Sequence, residues 1–198
     1  MSAPVVCLSI DHIGKPHGAH PWFDRGAQSP SGWLEVDLTL RYALAAEREF
    51  RRLGRLVCLL TDGTYAERWE RADRYGASLY ASLHADAGGG DRGTVYCDHR
   101  STRGLELAGL VTGEIDDVVP WHVGLGVLDE LTRGWACIHG VRAPAILVEP
   151  GFVDGAVWHD VPKPPGGLGA LRHHEILWDS ADAIGVALAR GIDAWLSR

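Results

Sequence analysis

The feature that most constrains this chain is a rhythm: short apolar runs without helical period alternate with longer stretches whose apolar residues recur every third or fourth position. Val5 to Ile10 and Leu56 to Leu60 are apolar runs of strand length. Between them, Val36, Leu40, Ala43, Ala46, Phe50 and Leu53 keep helical spacing from Leu34 to Leu53, and Gly54 supplies a stop. Tyr65 to Gly76 carries Arg68, Arg71 and Arg74 among Trp69, Ala72 and Tyr75, which suggests a second helix. Strand readings follow at Ser78 to His84, Thr94 to Cys97 and Ala145 to Glu149, with a helix through Leu105 to Thr112 and a closing amphipathic helix from Ser180 to Leu196. Trp121 to Arg133 is ambiguous, because Val127 to Leu131 favours a helix that Gly124 and Gly126 weaken. Val161 to Gly169, rich in Pro and Gly, reads as a loop or flap. Strands alternating with helices predict an α/β fold: a twisted, mainly parallel sheet covered by helices on both faces. At 198 residues, with 46% hydrophobic and 23% charged, a single domain spanning 1–198 is expected.

The charge balance narrows the partners. A formal net charge of −7, with the Lys and Arg residues scattered along the chain, argues against a nucleic-acid binder. No apolar segment approaches the length that spans a bilayer, and Pro4 to Ile10 is too short for a signal peptide and lacks its basic flank. The expectation is a monomer made in the cytoplasm without a signal peptide, with no membrane partner. Cysteines at 7, 58, 97 and 137 show no C-x-x-C spacing, and Cys7 and Cys58 lie inside apolar runs, so they read as reduced core residues.

The chemistry gathers where strands end. In open α/β sheets ligands sit beyond the carboxyl ends of the strands, and here one run ends in Asp11 and His12, another in His84, a third in Glu149. A catalytic zinc takes three protein ligands from His, Glu, Asp or Cys and leaves one position to water. The natural reading is a zinc hydrolase. Each residue also has a plain reading: a strand-end His is often structural, and Glu35, in the first turn of its helix, complements the helix dipole without any metal. Asp37 carries the same charge but points in another direction. Glu149 follows a buried strand, where an unpaired carboxylate is costly; a salt bridge or a general base accounts for it. His99, His122, His139 and His159 read as surface or capping residues, and His173-His174-Glu175 lacks a spacing that puts two ligands on one helix face. Trp22, Trp33 and Trp158 read as packing residues, with stacking on sugar or peptide as the alternative. No Gly-x-Ser-x-Gly is present to suggest a serine hydrolase.

Four motifs in order resemble the zinc-dependent N-acetylmuramoyl-L-alanine amidases of the third amidase type, found in cell-wall hydrolases and phage lysins. Asp24-Arg25-Gly26-Ala27 resembles that family's Asp-x-Gly-Ala, and Glu35-Val36-Asp37-Leu38-Thr39-Leu40 its ligand-bearing helix start. Ser82-Leu83-His84-Ala85-Asp86-Ala87, followed by Gly93-Thr94-Val95-Tyr96, is similar to its Ser-Ile-His-Ala-Asn-Ala and next strand. Pro144-Ala145-Ile146-Leu147-Val148-Glu149-Pro150-Gly151-Phe152 is similar to its Pro-Ala-Val-Leu-Val-Glu-x-Gly-Phe. The resemblance covers most of the chain. It implies that Glu35 and His84 bind zinc, that Glu149 is the catalytic acid/base, and that the scissile bond is the amide between N-acetylmuramic acid and L-alanine of the peptidoglycan stem peptide.

The first ligand departs from the family's Asp-Pro-Gly-His-Gly-Gly. Asp11-His12-Ile13-Gly14-Lys15-Pro16-His17 runs on through His20, so His12, His17 and His20 compete. His12 is favoured because a strand-end anchor fixes geometry better than a loop does. Asp86 in place of Asn, and Thr61-Asp62 where the family often has Thr-Arg, bear on substrate contacts. A compact amidase without an export signal is expected to be a phage or prophage endolysin acting on the bacterial cell wall, and a catalytic domain cut from a longer chain fits equally well. The rivals are a zinc amidohydrolase or carboxypeptidase-like peptidase on soluble peptides, and a non-catalytic peptidoglycan-binding protein.

Overall fold

A computed structural model describes residues 3–13, 25–132, 134–154 and 173–198. The elements run β1 (Val5–Ile10), α1 (Glu35–Arg52), β2 (Leu56–Leu60), α2 (Tyr65–Arg74), β3 (Ala77–Leu83), β4 (Gly93–Asp98), α3 (Thr102–Asp116), β5 (Val123–Leu128), β6 (Ala145–Glu149), α4 (His173–Asp179) and α5 (Ala181–Leu196). The strands form one six-stranded sheet in the order β2-β1-β3-β6-β4-β5. β2, β1, β3 and β6 run parallel, β4 is antiparallel to β6, and β5 is parallel to β4. The mainly parallel sheet expected from the sequence is therefore present, with a single antiparallel seam.

Alternation along the strands divides the core in two. Val6, Leu8 and Ile10 of β1, with Leu79, Ala81 and Leu83 of β3, pack against α1, α3 and α5. Cys7, Tyr80 and Leu147 point the other way, towards Ala72 of α2 and the turn at Cys137 and Ile138. Both faces are covered, which is why β1, β3 and β6 carry apolar residues on both faces, broken before their ends only by the small residues Ser9, Ser78 and Ser82. Cys7 and Cys58 sit in register on neighbouring strands, and all four cysteines are free.

The ambiguous stretch from Trp121 resolves as strand β5, not helix. Gly126 lies opposite Tyr96 of β4, and a Cβ there would meet the Tyr96 ring at 2.2 Å. The glycine that weakens a helix is what lets the strand carry its neighbour's aromatic ring. α3 begins earlier than its periodicity suggests, at Thr102, because the Ser101 hydroxyl accepts the Gly104 N–H at 2.9 Å and caps the first turn. The Pro- and Gly-rich stretch Val161 to Gly169 lies outside the described residues.

α1 and α5 approach closely through small residues. A Cβ on Gly185 would come within 2.2 Å of the Tyr42 carbonyl oxygen and 2.6 Å of the Ala45 Cβ. Gly185→Ala is therefore expected to destabilise the fold by about 2 kcal/mol, because a clash with backbone puts the overpacking cost near the top of its roughly 1–3 kcal/mol range and helix propensity offsets only ~1 kcal/mol. A thermal melt should fall by roughly 4–8 °C; an unchanged melt would show that the two helices separate at no cost.

Candidate functional site

β1 delivers its last polar residues to the carboxyl end of the sheet. The Asp11 N–H donates to the Leu83 carbonyl at 3.2 Å, extending the β1–β3 pairing one residue past the strand. The chain then turns sharply, with His12 at a φ of 62° in the left-handed region, where a non-glycine residue signals strain or a functional constraint. β3 ends beside this turn. The His84 N–H donates to the Val148 carbonyl at 2.9 Å, and the buried Tyr42 hydroxyl of α1 donates to the His84 carbonyl at 2.7 Å. The ring of His84 is thus held at a fixed place between β1 and β6.

Glu35 reaches the same point from α1. Its carboxylate accepts the Ala27 N–H at 3.0 Å and the Ala85 N–H at 3.1 Å. Asp37, two residues on, turns back to accept the Leu34 N–H at 3.4 Å, so the two carboxylates diverge as the helix geometry demands. Gly26, at a φ of 73°, lies against this carboxylate: a Cβ there would meet Glu35 Oε2 at 2.5 Å and His12 Cδ2 at 2.8 Å. This explains the glycine of the Asp-x-Gly-Ala motif, since the site leaves no room for a side chain and the backbone is one that L-residues avoid.

The groups converge. His12 Nε2 lies 3.3 Å from Glu35 Oε1 and 3.4 Å from Asp11 Oδ2. His84 Nδ1 lies 3.4 Å from Glu35 Oε1, and His84 Nε2 lies 3.1 Å from Asp11 Oδ2. Ligand atoms of Asp11, His12 and His84 fall within 4.8 Å of one another. The His84 Nε2 contact with Asp11 lacks hydrogen-bond geometry despite its short distance. Two imidazoles and two carboxylates, buried and spaced in this way, suit a divalent ion. An ion bound at about 2.0–2.1 Å holds neighbouring tetrahedral ligands roughly 3.3 Å apart.

Electrostatics agree. Burial pushes the Glu35 carboxyl up, but its contacts with His12 and His84 outweigh that and hold it well below the usual carboxylate range. Burial pushes both imidazoles down, and the facing carboxylates, Glu35 foremost at His12 and Asp11 foremost at His84, reverse this and raise them. The site draws in positive charge, which protons supply when no cation does.

Glu149 closes β6, half-buried, opposite Thr94 of β4. Its neighbourhood is stitched to the His84 loop: Asp86 N–H donates to the Gly151 carbonyl and Val153 N–H to the Asp86 carbonyl, both at 2.9 Å. The Asp154 carboxylate accepts the Gly88 and Gly89 N–H groups at 2.9 and 3.0 Å. His12, Glu35, His84 and Glu149 therefore come from four separate elements to one end of the sheet. His17 and His20, the competitors of His12, lie outside the described residues, as do Trp22, Trp158 and His159. His99 and His122 sit by the Asp98 and Asp116 carboxylates, and Trp33 packs on Trp178 at 5.1 Å between ring centroids. Surface grooves of about 380 and 420 Å³ open at the opposite pole, beside Pro144 and Arg142, away from this cluster.

The sequence places Asp11 at the strand end beside His12 without giving it a role, and two participants behind it, Tyr65 and Arg68, escape the sequence reading. Tyr65 donates its hydroxyl to Asp11 Oδ2 at 2.8 Å, and the fully buried Arg68 places Nη1 3.7 Å from Asp11 Oδ1. The available signal was their spacing, since Tyr65, Arg68 and Ala72 lie on one stripe of α2 with the apolar residue facing the sheet.

An α/β domain with a candidate metal centre at its strand ends is the class that fold and site define. The family described as N-acetylmuramoyl-L-alanine amidase matches residues 13–157, and the chain belongs to it. It is 33% identical over 146 residues to N-acetylmuramoyl-L-alanine amidase CwlM of Bacillus licheniformis, covering 68% of this chain and 54% of the relative, so the match spans about half the length of that protein. Among solved structures, N-acetylmuramoyl-L-alanine amidase AmiC2 of Nostoc punctiforme shares the fold with a TM-score of 0.73 at 23% identity, over 98% of both chains. The catalytic domain of CwlV from Bacillus (Paenibacillus) polymyxa var. colistinus does so with a TM-score of 0.73 at 18% identity, over 98% of both chains.

The geometry around Gly26 gives a direct check on which groups hold a cation. Adding zinc to chelator-stripped protein is expected to raise the melting temperature, by about 2.7 kcal/mol at a hundredfold excess over Kd, or roughly 5–10 °C. Gly26→Ala is expected to remove most of that rise by displacing Glu35 and His12. A rise kept intact in Gly26→Ala would mean that those two side chains do not hold the ion.

Proposed function

We propose that this domain is a zinc-dependent N-acetylmuramoyl-L-alanine amidase, hydrolysing the amide between the lactyl group of N-acetylmuramic acid and L-alanine of the stem peptide. The observation that carries the reading is the convergence of His12, Glu35 and His84, with Glu35 Oε1 at 3.3 and 3.4 Å from the two ring nitrogens, beside a strand that ends in Glu149. Membership of the amidase family and its Asp-x-Gly-Ala and Val-Glu-x-Gly-Phe motifs support the substrate class.

In this reading His12, Glu35 and His84 hold the ion. Asp11, anchored by Tyr65 and Arg68, faces the far nitrogen of His84 at 3.1 Å and holds that ring by charge. When bound, zinc polarises an amide carbonyl and acidifies water. Glu149 takes the proton from the attacking water and delivers it to the departing amine of L-alanine. Its half-buried position at the strand end leaves it open to substrate while the neighbouring carboxylates sit deeper. Tyr42 and the Ala85 N–H keep His84 and Glu35 from moving as charge develops. The cellular setting we propose is a phage or prophage endolysin acting on the cell wall; expression beside a membrane-permeabilising protein should then lyse the host culture.

Purified peptidoglycan digested with the zinc-loaded domain is expected to release free stem peptides beginning with L-alanine and to leave the glycan intact, with release lost on chelation. Fragments cut inside the peptide would replace this reading with a peptidase. Glu149→Gln is expected to lower kcat by at least about 10²-fold while keeping the zinc-induced rise in melting temperature, and a variant that keeps its rate would remove Glu149 from the reaction.

A further inference from the structure

We propose that Arg68 is the positioning residue of the candidate metal centre, acting through the backbone of His12. This rests on the metal reading above. The guanidinium is fully buried, which is rare for arginine unless its donors are all used. Here they are. Nη1 donates to the Ile10 carbonyl at 2.8 Å and the Ser9 hydroxyl at 3.0 Å, and Nη2 donates to the Ile13 carbonyl at 2.7 Å. Nε donates to the Gly63 carbonyl at 3.1 Å and the Asp62 carbonyl at 3.3 Å.

The two shortest bonds bracket the turn that carries Asp11 and His12. Ile10 and Ile13 are the residues on either side, so one rigid planar group spans both ends of a two-residue reversal. Inside that span His12 holds a φ of 62°, a conformation costing about 1–3 kcal/mol for a non-glycine residue unless its surroundings impose it. A relaxed backbone with negative φ would swing the ring away from Glu35 and His84. Lysine cannot substitute, because its single ammonium lacks the fork that reaches two carbonyls at once. The loop before α2 is anchored by the same group through Asp62 and Gly63, so α2 and the β1 turn are locked to each other.

The test uses the whole domain, stripped of metal, with zinc as the probe. Arg68→Lys is expected to lower zinc affinity by about 10–100-fold in competition with a chromogenic chelator, the range seen when a group behind a metal ligand is changed. A residue that only stabilises the fold lowers affinity equally whether or not His12 is present. Because lysine keeps a cation beside Asp11 and loses only the fork across the His12 turn, Arg68→Lys should have little further effect in a His12→Ala background. Equal losses in both backgrounds, or parent-like affinity in Arg68→Lys, overturn the proposal.

A second reading needs no variant and no metal: backbone carbon chemical shifts of the metal-free parent should place His12 in the left-handed region. A His12 that relaxes to negative φ without metal overturns the clamp, even if Arg68→Lys fails to fold. A parent that holds the left-handed turn yet binds no zinc sinks the metal reading instead, and so separates the two failures.

Discussion

Two carboxylates buried at the carboxyl end of an apolar sheet are the constraint around which this fold is arranged. Removing an ionised carboxylate from water costs several kcal/mol even after relaxation, and Asp11 and Glu35 both lie within the protein. Each is compensated differently. Asp11 has the Tyr65 hydroxyl, the Arg68 guanidinium and the facing edge of His84. Glu35 has two backbone N–H groups and the two imidazoles. Because these partners come from β1, α1, α2 and the end of β3, the charges cannot be satisfied unless those elements are packed in their native places. The same network that holds the site fixes the relation of both helical layers to the sheet.

How much of this could be read in advance follows from which physical signals are local. The strands that carry His12, His84 and Glu149 are legible because runs buried on both faces lose all polar alternation. Their last residues then stand out as the first charged or imidazole side chains. Glu35 is ambiguous in isolation, since a helix's first turn favours an acid anyway, and only the order of motifs along the chain marks it. Arg68 is hidden by its neighbours. Arg68, Arg71 and Arg74 repeat every third residue, which reads as one solvated face. A helix turns about 3.6 residues per turn, so each three-residue step falls about 60° short of a full turn and the ends of the row point apart. Arg71 remains outside, paired with Asp62, while Arg68 swings inward to the β1 turn. β5 is missed for a related reason, because the packing role of Gly126 belongs to Tyr96, thirty residues away in sequence.

The antiparallel seam gives the site its outer boundary. β3 and β4 are consecutive in sequence, but β6 lies between them in the sheet, and β4 runs opposite to both. Their connection therefore stays at one end and passes the carboxyl end of β6, where Glu149 sits. An all-parallel order would have required a crossover returning to the opposite pole and would have left those strand ends bare. The crossing is close. A Cβ on Gly93 would lie 2.5 Å from the Pro150 carbonyl oxygen, and one on Gly90 would lie 2.3 Å from the Phe152 ring. Trp121 donates to the same Pro150 carbonyl at 2.8 Å. The glycines from 88 to 93 are therefore what lets a chain pass over Pro150 and Phe152 without displacing the residue before them. In the proposed reading a substrate at Glu149 shares that end of the sheet with this loop, so the loop, rather than the buried cluster, would face the groups flanking the scissile bond.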